Sequence, residues 1–307
     1  MSYALLFSGQ ANQHPTMLPW LEAEPAANKI LRLMSEHLGQ DWRAQLHDVE
    51  RRSDNAFAQV LITGTSLAAW AALERELVEP PAVVAGYSVG ELPAFACAGV
   101  FSIEQALALA TQRAALMDAA VSGLNTGLLS VVGLSEATVL TACVGLQLEC
   151  AIRINPSQCI FAGSDNALRE ANHLLLALGA VCKRLDVRVA SHSSWMRPAA
   201  QAFSDVLAKV EFANPICPLA LNALGVLSRK SVELRLALSQ QMDSTVQWSA
   251  CLEAIAERRV SCVLEIGAGS ALGRMWNERY PHTPARSLDD FQHIKGVIDW
   301  IEKHSAT

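Results

Sequence analysis

The chain has 307 residues, 51% of them hydrophobic and 6% aromatic, and its mean hydropathy is +0.22. This length suits one large domain or a domain with an insert, and the abundance of alanine and leucine favours helices packed on a parallel sheet. The 24 basic and 30 acidic side chains give a net charge of −6 without a lysine- or arginine-rich run, which argues against nucleic acid as a partner. Eight cysteines are scattered with no C-x-x-C pair and no Cys/His zinc spacing, so we expect reduced, buried thiols and no metal.

The beginning of the chain is apolar. Residues 1–7 are too short for a signal sequence and lack its basic flank, and we find no apolar run that approaches membrane-spanning length. We therefore expect a cytoplasmic protein that does not associate with a membrane. Residues 3–7 predict a first strand, and residues 18–38 and 56–77 predict helices, the second of them interrupted at Thr63-Gly64-Thr65.

The most informative stretch is Gly86-Tyr87-Ser88-Val89-Gly90, which directly follows the apolar residues 81–85. A buried strand, a sharp turn and a helix that starts at Val89 would together form a nucleophile elbow. The two glycines suit a turn in which neighbouring backbone leaves no room for a Cβ. Such a turn exposes the Ser88 hydroxyl and directs the first N–H groups of the helix at the reaction centre, and acyl transfer needs both.

Beyond the elbow, Ser102 is a predicted N-cap for a helix over residues 103–120. The next part predicts strands at 128–134, 148–154, 159–163 and 181–187 and helices at 135–143 and 166–178. This β-α-β-β-α-β order is the ferredoxin-like pattern. It predicts a small subdomain at residues 123–188, inserted into a larger domain that consists of residues 1–122 and 189–307. The larger domain continues with predicted helices at 198–210 and 234–242 and a buried strand at 260–266.

A serine hydroxyl becomes a good nucleophile only when a base removes its proton. Among the eight histidines, His192 lies at a predicted strand-to-helix junction just after the small subdomain, where a side chain can face a cleft. A lone histidine is more often a surface or core residue than a catalyst. The pattern by itself therefore gives His192 only a modest advantage over the others.

Several motifs together resemble the malonyl-CoA:acyl-carrier-protein transacylase family along the whole chain. The matching stretches, each with the family pattern, are 7–13 FSGQANQ (F-P-G-Q-G-x-Q), 86–91 GYSVGE (G-H-S-L-G-E), 112–117 QRAALM (R-x-x-x-M), 127–134 GLLSVVGL (the first strand of the family's insert), 155–163 NPSQCIFAG (N-x-P-x-Q-x-V-x-A-G, one residue shorter here), 191–199 SHSSWMRPA (S-H-x-x-x-M-x-P-A), 246–248 VQW (V-Q-W) and 265–269 EIGAG (E-x-G-x-G). The resemblance implies an α/β fold in which an α/β-hydrolase-like parallel-sheet domain carries the ferredoxin-like insert.

The resemblance also implies roles for individual residues. Ser88 would be the nucleophile that carries the acyl group as an ester, and His192 would be its general base and later the general acid. The family orients this histidine with a backbone carbonyl, which we expect near Gln247. The backbone N–H groups of Gln10 and Val89 would form the oxyanion hole.

Arg113 would determine which acyl group is accepted, because a guanidinium can hold the free malonyl carboxylate by two charge-assisted hydrogen bonds. Without the resemblance, a surface arginine on an exposed helix face would be the better interpretation. Met117 lies four residues further on and shares that helix face. Gln59 and Tyr87 would also line the acyl pocket.

Three departures from the family pattern, Ser8, Ala11 and Tyr87, resemble the epsilon subunit of malonate decarboxylase. That subgroup loads malonyl groups onto a dedicated small carrier protein. The implied reaction is ping-pong: malonyl-CoA acylates the serine, and the prosthetic thiol arm of an acyl carrier protein accepts the malonyl group. No permanently bound cofactor is implied.

Other functions remain open from the sequence. The same reaction could serve fatty-acid or polyketide synthesis, with a different acyl carrier protein. The protein could instead be a serine esterase, or a non-catalytic subunit that docks a carrier. The basic side chains Lys183, Arg184, Arg188 and Arg197 could meet a carrier or the phosphates of CoA, or could simply be solvated.

Overall fold

The computed structural model describes residues 2–305, so Met1, Ala306 and Thr307 lie outside the described residues. The protein is a mixed α/β structure with one large, mostly parallel sheet and one small antiparallel sheet. The strands are β1 (Tyr3–Phe7), β2 (Val83–Gly86), β3 (Thr126–Val132), β4 (Glu149–Asn155), β5 (Gln158–Ser164), β6 (Val181–Arg184), β7 (Leu219–Leu221), β8 (Val226–Ser228), β9 (Cys262–Ile266) and β10 (Ala285–Ser287). The α-helices are α1 (Asn28–Leu38), α2 (Trp42–Gln45), α3 (Val49–Ser53), α4 (Asn55–Glu74), α5 (Glu91–Cys97), α6 (Ile103–Ala120), α7 (Glu136–Ala142), α8 (Asp165–Ala177), α9 (Arg197–Leu207), α10 (Ser231–Gln240), α11 (Trp248–Ala256), α12 (Ala271–Arg279) and α13 (Ile294–Ser305). Short 3₁₀ helices cover Leu21–Ala23, Ser88–Gly90, Ser194–Met196 and Leu288–Asp290.

The large sheet has the strand order β10-β9-β1-β2-β7-β8. Neighbouring strands are parallel from β10 to β7, and only β8 runs antiparallel. Every residue of β1, β2 and β9 is buried, as expected for a parallel sheet that is covered on both faces. Phe7 of β1 pairs with Gly86 and Ile266, so the carboxyl ends of these three strands meet at one edge of the sheet. In open α/β sheets, this edge is where ligands bind.

The small sheet has the order β4-β5-β3-β6 and is antiparallel throughout. Helix α8 packs on this sheet and helix α7 packs against α8, and the element order from β3 to β6 is β-α-β-β-α-β. Its buried side chains, among them Leu129, Phe161 and Leu175, form a separate hydrophobic cluster. The segment after α10 contacts the small sheet, because Val246 forms a β-bridge with Ile152 of β4, and it contacts the end of β7, because the Gln247 N–H donates to the Asn222 oxygen.

Helix α4 corrects two expectations. The predicted interruption at Thr63-Gly64-Thr65 is absent, and α4 continues from Asn55 to Glu74. Gly64 serves close packing, because a Cβ there would lie 2.6 Å from Cγ and Sδ of Met34. By length and composition α4 could also cross a membrane, which the sequence analysis did not recognise, but 89% of its apolar window is buried inside the protein. Helix α4 is therefore a central core helix.

Two other helices show how local signals set boundaries. Helix α6 begins and ends where it was predicted, and the Ser102 hydroxyl accepts a hydrogen bond from the Gln105 N–H at 3.1 Å. The single helix predicted over 18–38 is instead a 3₁₀ turn followed by α1, which begins after Pro25. Proline lacks an N–H and disfavours the helical conformation of the residue before it, which explains the break.

Candidate active site

Ser88 lies in a strained turn between β2 and α5. Its φ angle is +56°, in the left-handed region, and a 3₁₀ turn precedes α5, which begins at Glu91 rather than at the predicted Val89. A Cβ on Gly86 would lie 2.0 Å from the Gly90 carbonyl oxygen, and a Cβ on Gly90 would lie 2.4 Å from that of Phe7. Only glycine fits at either position, so the packing of the turn explains the sequence motif.

His192 faces Ser88 directly. Its Nε2 lies 2.7 Å from the Ser88 Oγ, and its Nδ1 lies 2.6 Å from the backbone oxygen of Gln241. Because a carbonyl oxygen can only accept, Nδ1 carries the proton and Nε2 is free to take the proton of the serine hydroxyl. The His192 backbone also has a positive φ of +61°, and its N–H donates to the Met242 oxygen at 2.9 Å.

The expectation that a carbonyl near Gln247 orients His192 is wrong; Gln241 holds that position. Gln241 is the C-cap of α10, and the last carbonyls of a helix have no partner within the helix. Gln247 lies at the start of α11, where its N–H donates to the Asn222 oxygen at 2.7 Å and its side chain accepts from Arg153 at 3.1 Å. The V-Q-W motif therefore lies only a few residues from the carbonyl that orients His192, but it belongs to the start of α11 and not to the end of α10.

The environment of His192 favours the neutral imidazole. Burial and the positive charge of Arg113 lower the pKa of His192 to about 3, and the hydrogen bond to the Gln241 carbonyl opposes this shift. At neutral pH the ring is therefore uncharged and can act as a proton acceptor.

The predicted oxyanion donors flank Ser88. Val89 lies in the elbow turn, and the loop after β1 that carries Gln10 packs closely against the same turn. A Cβ on Gly9 would lie 2.7 Å from the Tyr87 oxygen, so the loop approaches as closely as the backbone permits. The donor role of the two N–H groups stays a prediction.

Arg113 is buried, with 1% of its surface exposed, so it is not the surface arginine of the alternative interpretation. Its guanidinium donates to Oε1 of Gln59 at 2.7 Å and to Oε1 of Gln241 at 2.8 Å. Within residues 2–305, no carboxylate forms an ion pair with it. Burial lowers the pKa of Arg113 to about 10, while the nearby charge of Glu91 opposes the shift, so the group stays charged at neutral pH.

The other predicted pocket residues surround this arginine and the serine. Gln59 is fully buried, and its Nε2 donates to Asn55 Oδ1 at 2.8 Å and lies 3.3 Å from the sulfur of Met117. The Gln10 side chain reaches the same Asn55 oxygen at 3.1 Å. Tyr87 packs edge-on against Trp248, with 5.0 Å between the ring centroids. The structure therefore brings all the predicted residues except Gln247 to the serine or to the arginine network.

Three residues of the site were missed. Asn222 accepts from the Ser88 N–H at 2.9 Å and donates to the Gly86 oxygen at 2.7 Å, so it fixes both sides of the elbow. Gln241 donates to the Ser88 oxygen at 2.6 Å and to the Glu91 carboxyl at 2.8 Å. Glu91 also accepts from the Asn222 N–H at 2.7 Å. A charged residue inside the apolar start of α5 was the available signal for this buried network.

Potential metal ligands occur away from this site. In the described part of the chain, ligand atoms of Glu136, Cys150 and Cys159 lie within 4.8 Å of one another. Both carboxylate oxygens of Glu136 already accept from Arg153, at 2.5 and 2.8 Å. Two of the basic residues near the small subdomain are also paired, Arg184 with Asp165 and Arg188 with Glu50.

Comparison with known proteins agrees with an acyl transfer activity. A model of the acyl transferase domain matches residues 4–289. The chain belongs to the acyl transferase domain family. It is 31% identical to a malonyl CoA-acyl carrier protein transacylase of Salmonella typhimurium, over 88% of this chain and 90% of that protein. It is 32% identical to a Mycobacterium bovis protein of the same name, over 93% and 95%.

The fold agrees equally well with this acyl transferase family. A malonyl-transacylase, solved in complex with its type II polyketide synthase acyl-carrier protein, superposes with a TM-score of 0.90. It is 28% identical, and the match covers 97% of this chain and 99% of that one. The parallel-sheet core and the small antiparallel sheet are therefore features that this acyl transferase shares with a solved relative.

Proposed function

We propose that this acyltransferase moves a malonyl group from malonyl-CoA to the prosthetic thiol of an acyl carrier protein through an ester on Ser88. The observation that carries the proposal is the 2.7 Å contact between Ser88 Oγ and His192 Nε2, in a site that also holds the buried Arg113. The names of the relatives support the same reaction.

The first half-reaction forms the ester. As Ser88 Oγ attacks the thioester carbon, its proton passes to His192 Nε2, and the N–H groups of Gln10 and Val89 stabilise the oxyanion. The tetrahedral intermediate collapses with cleavage of the C–S bond, and His192 returns the proton to the CoA sulfur. In the second half-reaction the carrier thiol gives its proton to His192 and attacks the ester carbon. The C–O bond then breaks and Ser88 recovers the proton.

Arg113 would select the acyl group. Neutral amide oxygens of Gln59 and Gln241 hold its guanidinium, and the charged malonyl carboxylate is a stronger acceptor than either. A bound carboxylate would also offset the positive charge that lowers the pKa of His192. Malonyl binding would thereby strengthen the base, and an uncharged acetyl group would not.

The biological context is a finer part of the proposal. Ser8, Ala11 and Tyr87 favour the epsilon subunit of malonate decarboxylase, acting in the cytoplasm on its dedicated carrier. Ser8 donates to the buried Glu265 at 2.9 Å, and Ala11 has a φ of +81° at a position where the family has glycine. The names of the relatives favour a transacylase of fatty-acid or polyketide synthesis.

The fold descriptions belong to the proposal as well. We assign residues 1–122 and 189–307 to an α/β-hydrolase-like catalytic domain. Residues 123–188 would be its ferredoxin-like subdomain, in agreement with the β-α-β-β-α-β order of the small sheet.

The test uses the malonyl-enzyme and several purified carriers. The protein is mixed with malonyl-CoA and then with the holo form of a malonate decarboxylase carrier or a fatty-acid acyl carrier protein, with the apo carriers as controls. Mass spectrometry should detect one malonyl group on a holo carrier and none on an apo carrier. The carrier that is loaded faster decides the context. Release of free malonate without transfer to either carrier would indicate an esterase and contradict the proposal.

A further inference from the structure

Glu91 is a buried carboxyl that is hydrogen-bonded to Asn222 and Gln241 and has no place in the half-reactions above. Its Oε1 accepts from the Asn222 N–H at 2.7 Å, and its Oε2 accepts from Nε2 of Gln241 at 2.8 Å. Both oxygens thus face N–H donors, the pattern that an ionised carboxylate accepts. Glu91 is 1% exposed, so no water can replace either partner without opening the site.

Gln241 connects Glu91 to the Ser88–His192 pair and to Arg113. Its NH₂ group donates to Glu91 and to the Ser88 oxygen, its Oε1 accepts from Arg113, and its backbone oxygen accepts from His192. If the amide turned over, its oxygen would face two acceptors and its NH₂ group would face the Arg113 donor. The carboxylate of Glu91 therefore favours the one amide orientation in which Arg113 finds an acceptor.

We propose that Glu91 is a positioning residue for Arg113, which acts through Gln241 and makes the guanidinium available to the carboxylate of a dicarboxylic acyl group. This inference rests on the proposed malonyl transfer. Glu91 touches neither substrate nor the reacting atoms.

The negative charge of Glu91 lies near Arg113, but the carboxylate does not contact the guanidinium. A carboxylate that touched Arg113 would compete directly with the carboxylate of the substrate for the same N–H donors. Glu91 is instead one hydrogen-bonded residue away, so its ionised form stabilises the buried positive charge while two neutral amides occupy the guanidinium. The substrate then has to displace only a neutral amide oxygen, which is the weaker acceptor.

Glutamine at position 91 is the matched variant. It keeps the size of the side chain but offers one acceptor to two donors, the Asn222 N–H and the Gln241 amide. Whichever way its amide points, one donor faces another donor, and the charge that stabilises Arg113 is lost. The same substitution at Glu104, an exposed residue on the helix that carries Arg113, is the control.

The experiment measures the rate of acyl-enzyme formation with malonyl-CoA and with acetyl-CoA by intact-protein mass spectrometry, at pH 9, above the pKa of about 8 to which burial raises Glu91. For Glu91→Gln we expect the half-saturating concentration of malonyl-CoA to rise about tenfold. The maximal rate, and loading from acetyl-CoA, should stay within about threefold, and Glu104→Gln should resemble the wild type. A purely structural role would lower the active fraction for both donors alike. Equal losses with both donors, or unchanged malonyl binding, would overturn the inference.

A pH profile of the wild type gives a second readout, which also applies if Glu91→Gln does not fold. Burial raises the pKa of Glu91 to about 8, against the opposing effects of Asn222, Gln241 and Arg113. The other titratable groups facing it are Arg113, whose pKa is about 10, and Cys251, whose pKa burial and Glu91 raise. Neither titrates between pH 6.5 and 9, and nor does His192.

The preference for malonyl-CoA over acetyl-CoA should therefore increase from pH 6.5 to 9 in the wild type, as Glu91 loses its proton, and stay flat in Glu91→Gln. A flat wild-type profile would contradict the inference. Failure of the wild type to form any malonyl ester would instead contradict the proposed function, so the two failures are distinguishable.

Discussion

The two ends of the site are built in different ways. At the reaction end, Ser88 and His192 both have positive φ angles, and backbone groups of Gln241 and Met242 hold the histidine. At the proposed recognition end, Arg113 lies on a regular helix, and in the described part of the chain its guanidinium donates to the side-chain amides of Gln59 and Gln241. Backbone strain and backbone hydrogen bonds give the reaction end one fixed geometry. At Arg113, by contrast, a charged ligand can replace the neutral amides as the hydrogen-bond acceptor.

This difference predicts that mutations at the two ends have different signatures. Changes at the reaction end should lower acylation by every acyl donor. Changes at the recognition end should alter the choice between donors and leave the basic chemistry in place. The predictions that follow run from the largest expected effect to the smallest.

His192→Ala should reduce ester formation by about 10²–10⁴-fold with malonyl-CoA and with acetyl-CoA alike, because it removes the base that contacts the Ser88 hydroxyl. Rapid-quench mass spectrometry measures both rates. A loss of ester formation with malonyl-CoA alone would contradict the separate roles proposed for the reaction end and the recognition end.

Arg113→Ala should lower malonyl loading by about 10–100-fold and leave acetyl loading nearly unchanged, since a hydrogen bond to a charged group is worth about 1.5–3 kcal/mol. Arg113→Lys is the matched control: it keeps a positive charge but lacks the planar fork that reaches Gln59 and Gln241 together. We expect it to lie between the alanine variant and the wild type. If Arg113→Ala kept a strong preference for malonyl-CoA, the recognition end would be misassigned.

Stability should depend on pH in opposite directions at two buried groups. The pKa of His192 is lowered to about 3, so the unfolded chain binds its proton first, and its contribution is complete above pH 6.5 and is lost as the pH falls toward 3. Burial raises the pKa of Glu265 to about 7 from 4.5, so its contribution is present below pH 4.5 and is lost as the pH rises through 7. Each slope is at most about 1.4 kcal/mol per pH unit.

Denaturant unfolding between pH 4.5 and 7.5 checks this prediction. Between pH 4.5 and 6.5 the two contributions have opposite slopes and largely cancel in the wild type. Over this range, His192→Gln should make the stability fall more as the pH rises than in the wild type, and Glu265→Gln should make it rise more. The same slope in the wild type and in both variants would contradict the assignment of the shifts.

Gln247→Ala should have the smallest effect, below about threefold on either donor, because the side chain contacts Arg153 and the Thr245 oxygen rather than His192. Steady-state rates of CoA release measure this. A loss comparable to that of His192→Ala would contradict the placement of the Gln247 side chain away from the reacting groups.

The nucleophile elbow and the start of helix α6 were predictable because their sequence signals are local. Glycine is required at 86 and 90 by backbone contacts within a few ångströms, and Ser102 caps the helix that follows it. The burial of Arg113 was not predictable from the sequence of α6. It depends on the side chains that α4 and the end of α10 place against Arg113.

Gln241 was missed for a related reason. Its carbonyl lies 49 residues after His192, at the end of a helix whose exact C-terminus the sequence does not mark with glycine or proline. The continuity of α4 was also missed, because Gly64 signals a break locally but serves contact with Met34 in the fold. Contacts of this kind arise only when distant segments pack.

The most direct test of the central claim is intact-protein mass spectrometry of the wild type and Ser88→Ala after brief mixing with malonyl-CoA or acetyl-CoA. The account predicts a malonyl ester on the wild type, little or no acetyl ester, and no adduct on Ser88→Ala. A malonyl adduct that persists on Ser88→Ala, or a wild type that releases CoA without ever carrying an acyl group, would contradict it.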